Sequence, residues 1–462
     1  MAQTSQNGAV DLAHKPMMST GQILLMNVGF FGIQYSFGMQ QNVMSPIYQF
    51  LGASPDELPI LNLAGPVTGL LIQPLIGALS DRTWSDKWGR RKPFFLIGAV
   101  GCSIFLFLMP FVTAVWMAVL CLWLLDASNN TAMEPYRAFI ADKLPPSQTA
   151  KGFLAQSFFT GFGITLANIS MFLFKWLLGE SRAGGLPYWV FAAFWVGAVF
   201  SIGSVLVSVL STNEIPPTPE ELKKMRAEKE RERFGALKDI WVAIVEMPKE
   251  LRKLSLVYLF QWYALFVYWQ YVSLSIAKSI YGTEDTKSAL YEDATAWTGL
   301  VNGFYNVVTF CVAFSLVSVA KKRGAKWVHI VCLLFSMVGL LIFPHITDKY
   351  LVFIPMVGFG IGWASMMGVP YIMAVRMVPS SRYGVYMGIV NMMIVIPQLL
   401  ETVSFGWVFK HLLGGNPTHA ITFAGVCMGL AAAATLWIKE PPIVRDMDDV
   451  TAPPKVFSEK EK

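Results

Sequence analysis

The chain has 462 residues, 54% of them hydrophobic and only 14% charged, with a mean hydropathy of +0.49 and a formal net charge of +6. Soluble domains carry roughly 25% charged residues, and a soluble fold could not hide this much apolar surface. The five cysteines, Cys102, Cys121, Cys311, Cys332 and Cys427, all fall in apolar runs without metal-ligand spacing. They read as small core residues, and no metal is expected.

The apolar residues come in twelve long runs bounded by charges, prolines and glycines. In chain order these are Gln22 to Phe50, Pro59 to Leu79, Phe94 to Val112, Val115 to Ile140, Phe153 to Leu178, Pro187 to Leu210, Leu254 to Tyr281, Ala296 to Val319, Trp327 to Ile346, Tyr350 to Arg376, Val385 to Lys410 and Thr418 to Ile438. About 20 residues suffice to cross a hydrocarbon core of ~30 Å. Each run is therefore a predicted transmembrane helix, numbered 1 to 12, and the expected fold class is an all-α integral membrane protein.

Lys and Arg in short loops stay on the cytoplasmic side of a membrane. With the amino terminus inside, 29 of the 36 Lys and Arg fall in inside segments, 6 fall on the outside and Arg137 alone lies within a span. This alternation predicts both termini in the cytoplasm and explains the net charge without a nucleic-acid partner. The first 20 residues are too polar for a cleavable signal peptide, so helix 1 is expected to act as the insertion signal. Length and short loops suit a bacterial cytoplasmic membrane, and a monomer is expected.

The expected organisation is six plus six. Residues 1–21 form a cytoplasmic tail, 22–210 a six-helix bundle, 211–253 a central loop, 254–438 a second six-helix bundle and 439–462 a second tail. In the central loop, Pro216, Pro217 and Pro219 break the chain, and the charged run Glu220 to Arg233 reads as a solvated helix with i,i+4 pairs. Ala236 to Met247 places Leu237, Ile240, Trp241, Ile244 and Val245 mainly on one face, as in a helix lying on the membrane surface. A faint internal repeat accompanies the duplication: setting Gly52 against Gly282 puts Gln40 opposite Gln270 and Ser45 opposite Ser275. Duplicated halves with a binding site between them near the midplane are common in transporters.

Between helices 2 and 3 stand Gly77, Asp81, Arg82, Gly89, Arg90, Arg91 and Lys92. A merely positive-inside loop explains the arginines but not Asp81 or the two glycines. This loop resembles the helix 2–3 loop of the major facilitator superfamily, which implies a charged gating latch between the two bundles. The matching second-half segment, Lys321 to Lys326, lacks the pattern.

Helix 4 carries the sharpest signal. Asp126, Asn129, Asn130, Met133, Glu134 and Arg137 stand at offsets of 0, 3, 4, 7, 8 and 11, which is one face of an α-helix. An ionisable side chain at mid-span is costly unless it faces protein or water, so this face is expected to line a cavity. Arg137 lies ~16 Å from Asp126 along the helix axis, so the two cannot pair directly, and Glu134 is the local partner for Arg137.

With its neighbours Leu125, Thr131, Pro135, Ala138 and Asp142, this helix resembles the signature of plant sucrose/proton symporters and their bacterial and animal relatives. Other parts agree: Gly65, Pro66, Gln73 and Pro74 in helix 2, the Asp81 to Pro93 loop, and Pro379, Arg382, Gly384, Met387, Gly388, Asn391, Pro397 and Gln398 around helix 11. The resemblance covers all twelve helices. It implies the major facilitator fold, a proton-coupling role for Asp126 and an essential role in coupled transport for Arg137, with Arg382 joining the gating set. Two positions depart from the plant pattern. The family's substrate-affecting histidine between helices 1 and 2 falls at Pro55, and two helix 7 aspartates fall at Val272 and Leu274.

The remaining inward polar inventory suits a sugar. Gln34 and Gln41 with Ser45 recur on helix 1, and Asn302 with Asn306 on helix 8, giving amide donors and acceptors for hydroxyls. Gln270, Asn391 and Gln398 add further amides. Tyr35, Trp123, Tyr268 and Trp269 offer flat faces to hexose rings, and Glu401 is a second intramembrane carboxylate. The five histidines lie away from mid-depth, so a histidine proton relay is not expected.

The expected function is therefore proton-coupled uptake of a glucose-containing disaccharide, sucrose or maltose in type, by alternating access, with H+ as coupling ion and no cofactor. A sodium-coupled glycoside or hexuronide carrier would need more cation ligands than Asp126, Glu134 and Glu401. A drug/proton antiporter would carry a Gly-x-x-x-Gly-Pro pattern in helix 5, whereas Gly161 to Asn168 has no proline. An enzyme or receptor would need a catalytic cluster or soluble output domain, and no segment offers one.

Overall fold

The computed structural model describes residues 15–81, 83–179, 182–183, 185–217, 220, 222, 245–377 and 383–439. Within them the chain forms twelve long helices. In the first half these are α1 (Thr20–Asn27 and Gly29–Phe50), α2 (Leu58–Leu61 and Ala64–Asp81, led by the 3-10 turn Pro55–Glu57), α3 (Lys92–Leu108), α4 (Val115–Lys143), α5 (Pro146–Leu178) and α6 (Tyr188–Ser211). The second half holds α7 (Lys249–Ser279), α8 (Ala289–Arg323), α9 (Ala325–Ile342), α10 (Phe353–Met377), α11 (Tyr383–His411) and α12 (Pro417–Leu436). Each of the twelve expected runs overlaps one of these helices, and α5 and α8 extend beyond their runs by seven residues at the amino end. Most of the charged run Glu220 to Arg233 and of the expected surface helix Ala236 to Met247 lies outside the described residues.

Eight helices among the described residues are long and apolar enough to cross a membrane on length and composition alone: α2, α3, α5, α6 and α9 to α12. The other four, α1, α4, α7 and α8, carry buried polar side chains. Examples are Gln34 and Asn42 on α1, Asp126 and Asn130 on α4, Gln270 on α7 and Asn302 on α8. The lower hydropathy of α1, α4 and α7 comes from inward faces, while Trp116, Leu120 and Leu124 keep the outer side of α4 apolar and exposed. That arrangement is the one lipid permits, because a polar group facing hydrocarbon has no partner there.

The internal repeat is visible in the backbone. Gly52 follows α1 with φ +92° and Gly282 follows α7 with φ +65°, so the two aligned glycines end equivalent helices in a conformation glycine tolerates best.

Two ends of the molecule differ in what joins the halves. One end, here the terminal face, carries the start of α1 and the end of α12. At this face Gln148 of α5 bonds Met18, Lys326 reaches the carbonyls of Leu436 and Ile438, and Glu250 accepts from the Lys439 N–H. Each of those ties stays within one half. At the opposite face the halves are joined. Lys175 of α5 pairs with Glu292 and Asp293 of α8, each at 3.4 Å. Tyr271 of α7 donates to the Pro55 carbonyl at 2.7 Å, and Lys410 of α11 reaches Asp56 at 3.4 Å. Nearer the middle, Asn302 donates to Asn42 at 2.6 Å. Close backbone approach reinforces this closure: a Cβ on Gly299 would fall 2.4 Å from the Asn168 carbonyl oxygen, and one on Gly406 2.4 Å from that of Asp56.

Gly406→Val should therefore push the head of α2 away from α11. Overpacking of this kind costs about 1–3 kcal/mol, enough to move a two-state balance roughly tenfold or more. In a cysteine-free background carrying Ser45→Cys, a membrane-impermeant thiol reagent added from the opposite face should react faster when Gly406→Val is present. Equal labelling rates would show that this contact does not hold that face shut.

Candidate functional site

Between the halves lies a cavity of about 530 Å³, lined by α1, α2, α4 and α5 on one side and by α7, α10 and α11 on the other. Its innermost charged group is Asp126, 2% exposed, and its wall runs along α4 to Arg137, whose side chain is 42% exposed. With the opposite face joined, the cavity opens toward the terminal face.

Asp126 is held from α2 and from its own helix. Thr68 donates its hydroxyl to Asp126 Oδ2, and Asn130 Nδ2, one turn along α4, donates to the same oxygen at 2.8 Å. Gln73 Nε2 of α2 in turn donates to Asn130 Oδ1 at 2.7 Å and fixes that amide's orientation. The carboxyl thus has a hydroxyl and an amide for partners and no cation among those described. Arg137 does not reach it. Arg137 Nη1 lies 3.6 Å from Glu134 Oε2, a loose contact between two half-exposed side chains.

The polar face of α4 is wider than the cavity it borders. At about 100° per residue, Asp126, Asn130, Met133 and Arg137 fall within an arc of about 60°, and all four line the cavity. Asn129 and Glu134 lie on the flanks of that arc, at about −60° and +80° from Asp126, and neither lines it. Asn129 instead donates to Ser36 of α1 at 2.8 Å and accepts from Cys102 of α3 at 2.9 Å, tying three helices together.

Among the other expected binding residues, Gln34, Gln41, Gln270, Asn391 and Gln398 line the cavity. Tyr268, Asn302 and Asn306 do not: Tyr268 donates to Asn302 at 2.8 Å, and Asn306 donates to the Asn302 carbonyl at 2.9 Å, behind the wall. Glu401 is also behind it, where Gln270 donates to it. Of the expected aromatic platforms Trp269 alone lines the space. Tyr35 is buried and its hydroxyl bonds Ser170, while Trp123 packs against the core. The platform is instead a set of three tryptophans, Trp262, Trp269 and Trp363, with Trp363 edge-to-face against each of the other two at 5.8 and 5.7 Å.

The gating set is partly placed. The side chain of Asp81, and Arg82 and Arg382 entirely, lie outside the described residues. Gly89 has φ +76° and lets the next three amides, Arg90, Arg91 and Lys92, donate to the Glu214 carboxylate at 2.8 to 2.9 Å. Successive N–H groups around one anion at a helix start form a strong cradle. Arg91 also pairs with Asp142 of α4 at 2.8 Å and donates to Ser80. These contacts bind the loop to α4 and to the chain leaving α6, all within the first half; the expected tie to the second half is not among them.

Several residues of the site were not singled out from the sequence. Thr68 stands on α2 beside the Gly65 and Pro66 element, without any charge to mark it. Trp262 and Trp363 are 101 positions apart and meet only through packing of α7 on α10. Glu214 sits in what reads as linker.

Comparison with known proteins agrees with this architecture. Sucrose transport protein SUC4 of Arabidopsis thaliana is 24% identical over 501 residues, covering 96% of each chain. Sucrose transport protein SUT1 of Oryza sativa subsp. japonica is 34% identical over 147 residues, 27% of each chain. Among solved structures, the nucleoside transporter NupG superposes with a TM-score of 0.68 at 14% identity, over 91% of this chain and 100% of that one. A partially occluded inward-open form of the xylose transporter XylE from E. coli gives 0.64 at 15% identity, over 91% and 99%. The model of the Major Facilitator Superfamily matches residues 26–400. With its twelve helices and central cavity, the chain belongs to the Major Facilitator Superfamily.

Proposed function

We propose that this protein is a proton-coupled sugar symporter that takes up a glucose-containing disaccharide, sucrose or maltose in type, with Asp126 as the proton site. The observation that carries the reading is the placement of Asp126: a buried carboxyl at the inner end of a solute-sized cavity, with neutral partners and a path toward one face. The volume falls in the range of roughly 300–1,000 Å³ usual for small-molecule sites. Its walls differ. The first half supplies the carboxyl and amides, and the second supplies the tryptophan faces with further amides from Gln270, Asn391 and Gln398, a set suited to a ring with hydroxyls on its edge and C–H groups on its face. The names of the plant relatives support sucrose as a substrate of this kind.

In this reading the terminal face is cytoplasmic, and the state described is inward-open. Uptake begins when the opposite face parts at the Lys175 and Asp56 contacts and a proton and sugar enter together. Protonated Asp126 loses its charge, which lowers the cost of closing the cavity around it. After the halves rock, water from the cytoplasmic side reaches the carboxyl, and the proton leaves. Arg137, three turns toward that exit, offers a cation to a departing or returning carboxylate charge without pairing with it in this state. One proton moving down 100 mV and one pH unit supplies about 2.3 plus 1.4 kcal/mol, which sustains a sugar gradient of several hundredfold.

Asp126→Asn keeps the shape and much of the hydrogen bonding but cannot titrate. In vesicles of purified carrier, exchange of labelled sucrose or maltose between equal pools should survive while accumulation driven by a pH gradient disappears. Gradient-driven accumulation by Asp126→Asn would move the proton site elsewhere.

Trp363→Ala should weaken binding of the transported sugar by several-fold to about tenfold, since ring contacts of this kind contribute roughly 0.5–1.5 kcal/mol beyond area. Calorimetric titration checks this. An unchanged affinity would remove the tryptophan set from the sugar site.

A further inference from the structure

The second half has a buried carboxyl of its own. Glu401, one turn beyond the cavity residue Gln398 on α11, is 0% exposed. Its described hydrogen-bond partner is Gln270 of α7, whose Nε2 donates to Glu401 Oε2 at 3.2 Å. Two acceptors in the same pair, Glu401 Oε1 and Gln270 Oε1, are buried with no partner. Among the described residues no lysine, arginine or histidine pairs with Glu401.

The titratable groups around it do not fill the gap. Tyr263 and Tyr271 of α7 both lie near it. The Tyr263 hydroxyl is shared with Ser404 at 2.7 Å, and that of Tyr271 is given to the Pro55 carbonyl at 2.7 Å. Asp56, at the head of α2, lies beyond Tyr271 and is paired with Lys410 of α11; Cys427 of α12 lies near Tyr263. None of them brings Glu401 a cation.

One proton repairs both defects. A hydroxyl on Glu401 Oε1 can donate to Gln270 Oε1, and with the existing N–H bond it completes a two-point pair between an acid and an amide. Without that proton, two buried acceptors are left facing no donor, which is unfavourable away from water. Gln270 also lines the cavity, so the orientation of its amide toward a solute depends on what Glu401 holds.

We propose that Glu401 is a second proton-binding site, in the half opposite Asp126, and that the cavity senses its state through Gln270, which acts as a positioning residue for solute hydroxyls. The inference takes the cavity as the solute path, as the function proposed above does, but it does not depend on Asp126 being the coupling residue.

Infrared difference spectra of the purified carrier, recorded between acid and alkaline pH, report the C=O stretch of carboxyl groups that gain or lose a proton. Asp126→Asn should retain a titrating band from a buried carboxyl, and the double variant Asp126→Asn with Glu401→Gln should lose it. Gln270→Leu leaves Glu401 in place and should shift the frequency of that band, because the amide partner is gone; this arm stands even where Glu401→Gln does not fold. The second site is overturned if no band is lost with Glu401→Gln and none shifts with Gln270→Leu. Loss of the Glu401 band alongside undiminished gradient-driven uptake in Asp126→Asn would overturn the Asp126 assignment and leave this one standing.

Discussion

A carboxyl group in the middle of a hydrocarbon slab has no solvent to fall back on, and the arrangement around Asp126 follows from that constraint. The group must face protein or a water-filled space, so α4 turns its polar arc inward and Trp116, Leu120 and Leu124 outward. Once there it needs partners, and α2 supplies Thr68 directly and Gln73 through Asn130. This network pins α2 to α4 at mid-depth and leaves one side of the carboxyl on the cavity. The same requirement explains why α1, α4 and α7, whose hydropathy is low, turn buried polar residues inward.

Around that centre the two halves are joined unequally. Ion pairs, a tyrosine-to-carbonyl bond and two glycine contacts close one face. At the other, the described ties run inside each half. Lys175 and Glu292 are both largely buried, and separating such a pair leaves charges without compensation unless water enters. Opening the closed face is therefore tied to its hydration, which fits a carrier whose sites are exposed to one side at a time. The placed contacts of the loop between α2 and α3 are local ones. By wrapping three backbone amides around Glu214, pairing Arg91 with Asp142 and bonding Arg91 to Ser80, it ties α2, α3 and α4 to the chain leaving α6.

Much of this was legible in the sequence, and the residues show where legibility stops. Helix number, the six-plus-six division and the polar face of α4 follow from run length and spacing, which depend on local geometry alone. The aligned glycines Gly52 and Gly282 also announce themselves, because a left-handed helix end favours glycine wherever it occurs. Spacing could not say how wide an arc the cavity would occupy, and so Asn129 and Glu134 were grouped with Asp126 although they face elsewhere. Asn302 and Tyr268 look like sugar ligands by composition, but each finds the other first. Thr68, Trp262, Trp363 and Glu214 depend on which helices pack together, and no local pattern carries that information.

The central claim is that sugar and proton move together. Purified protein in proteoliposomes, offered labelled sucrose, maltose and trehalose with and without an imposed inward pH gradient, tests it directly, with the external pH recorded in the same vesicles. The account predicts that at least one of these sugars accumulates above its external concentration only when the gradient is present, and that adding it makes the external medium more alkaline. Uptake of every sugar that merely equilibrates, at a level indifferent to the gradient and without movement of protons, would contradict it.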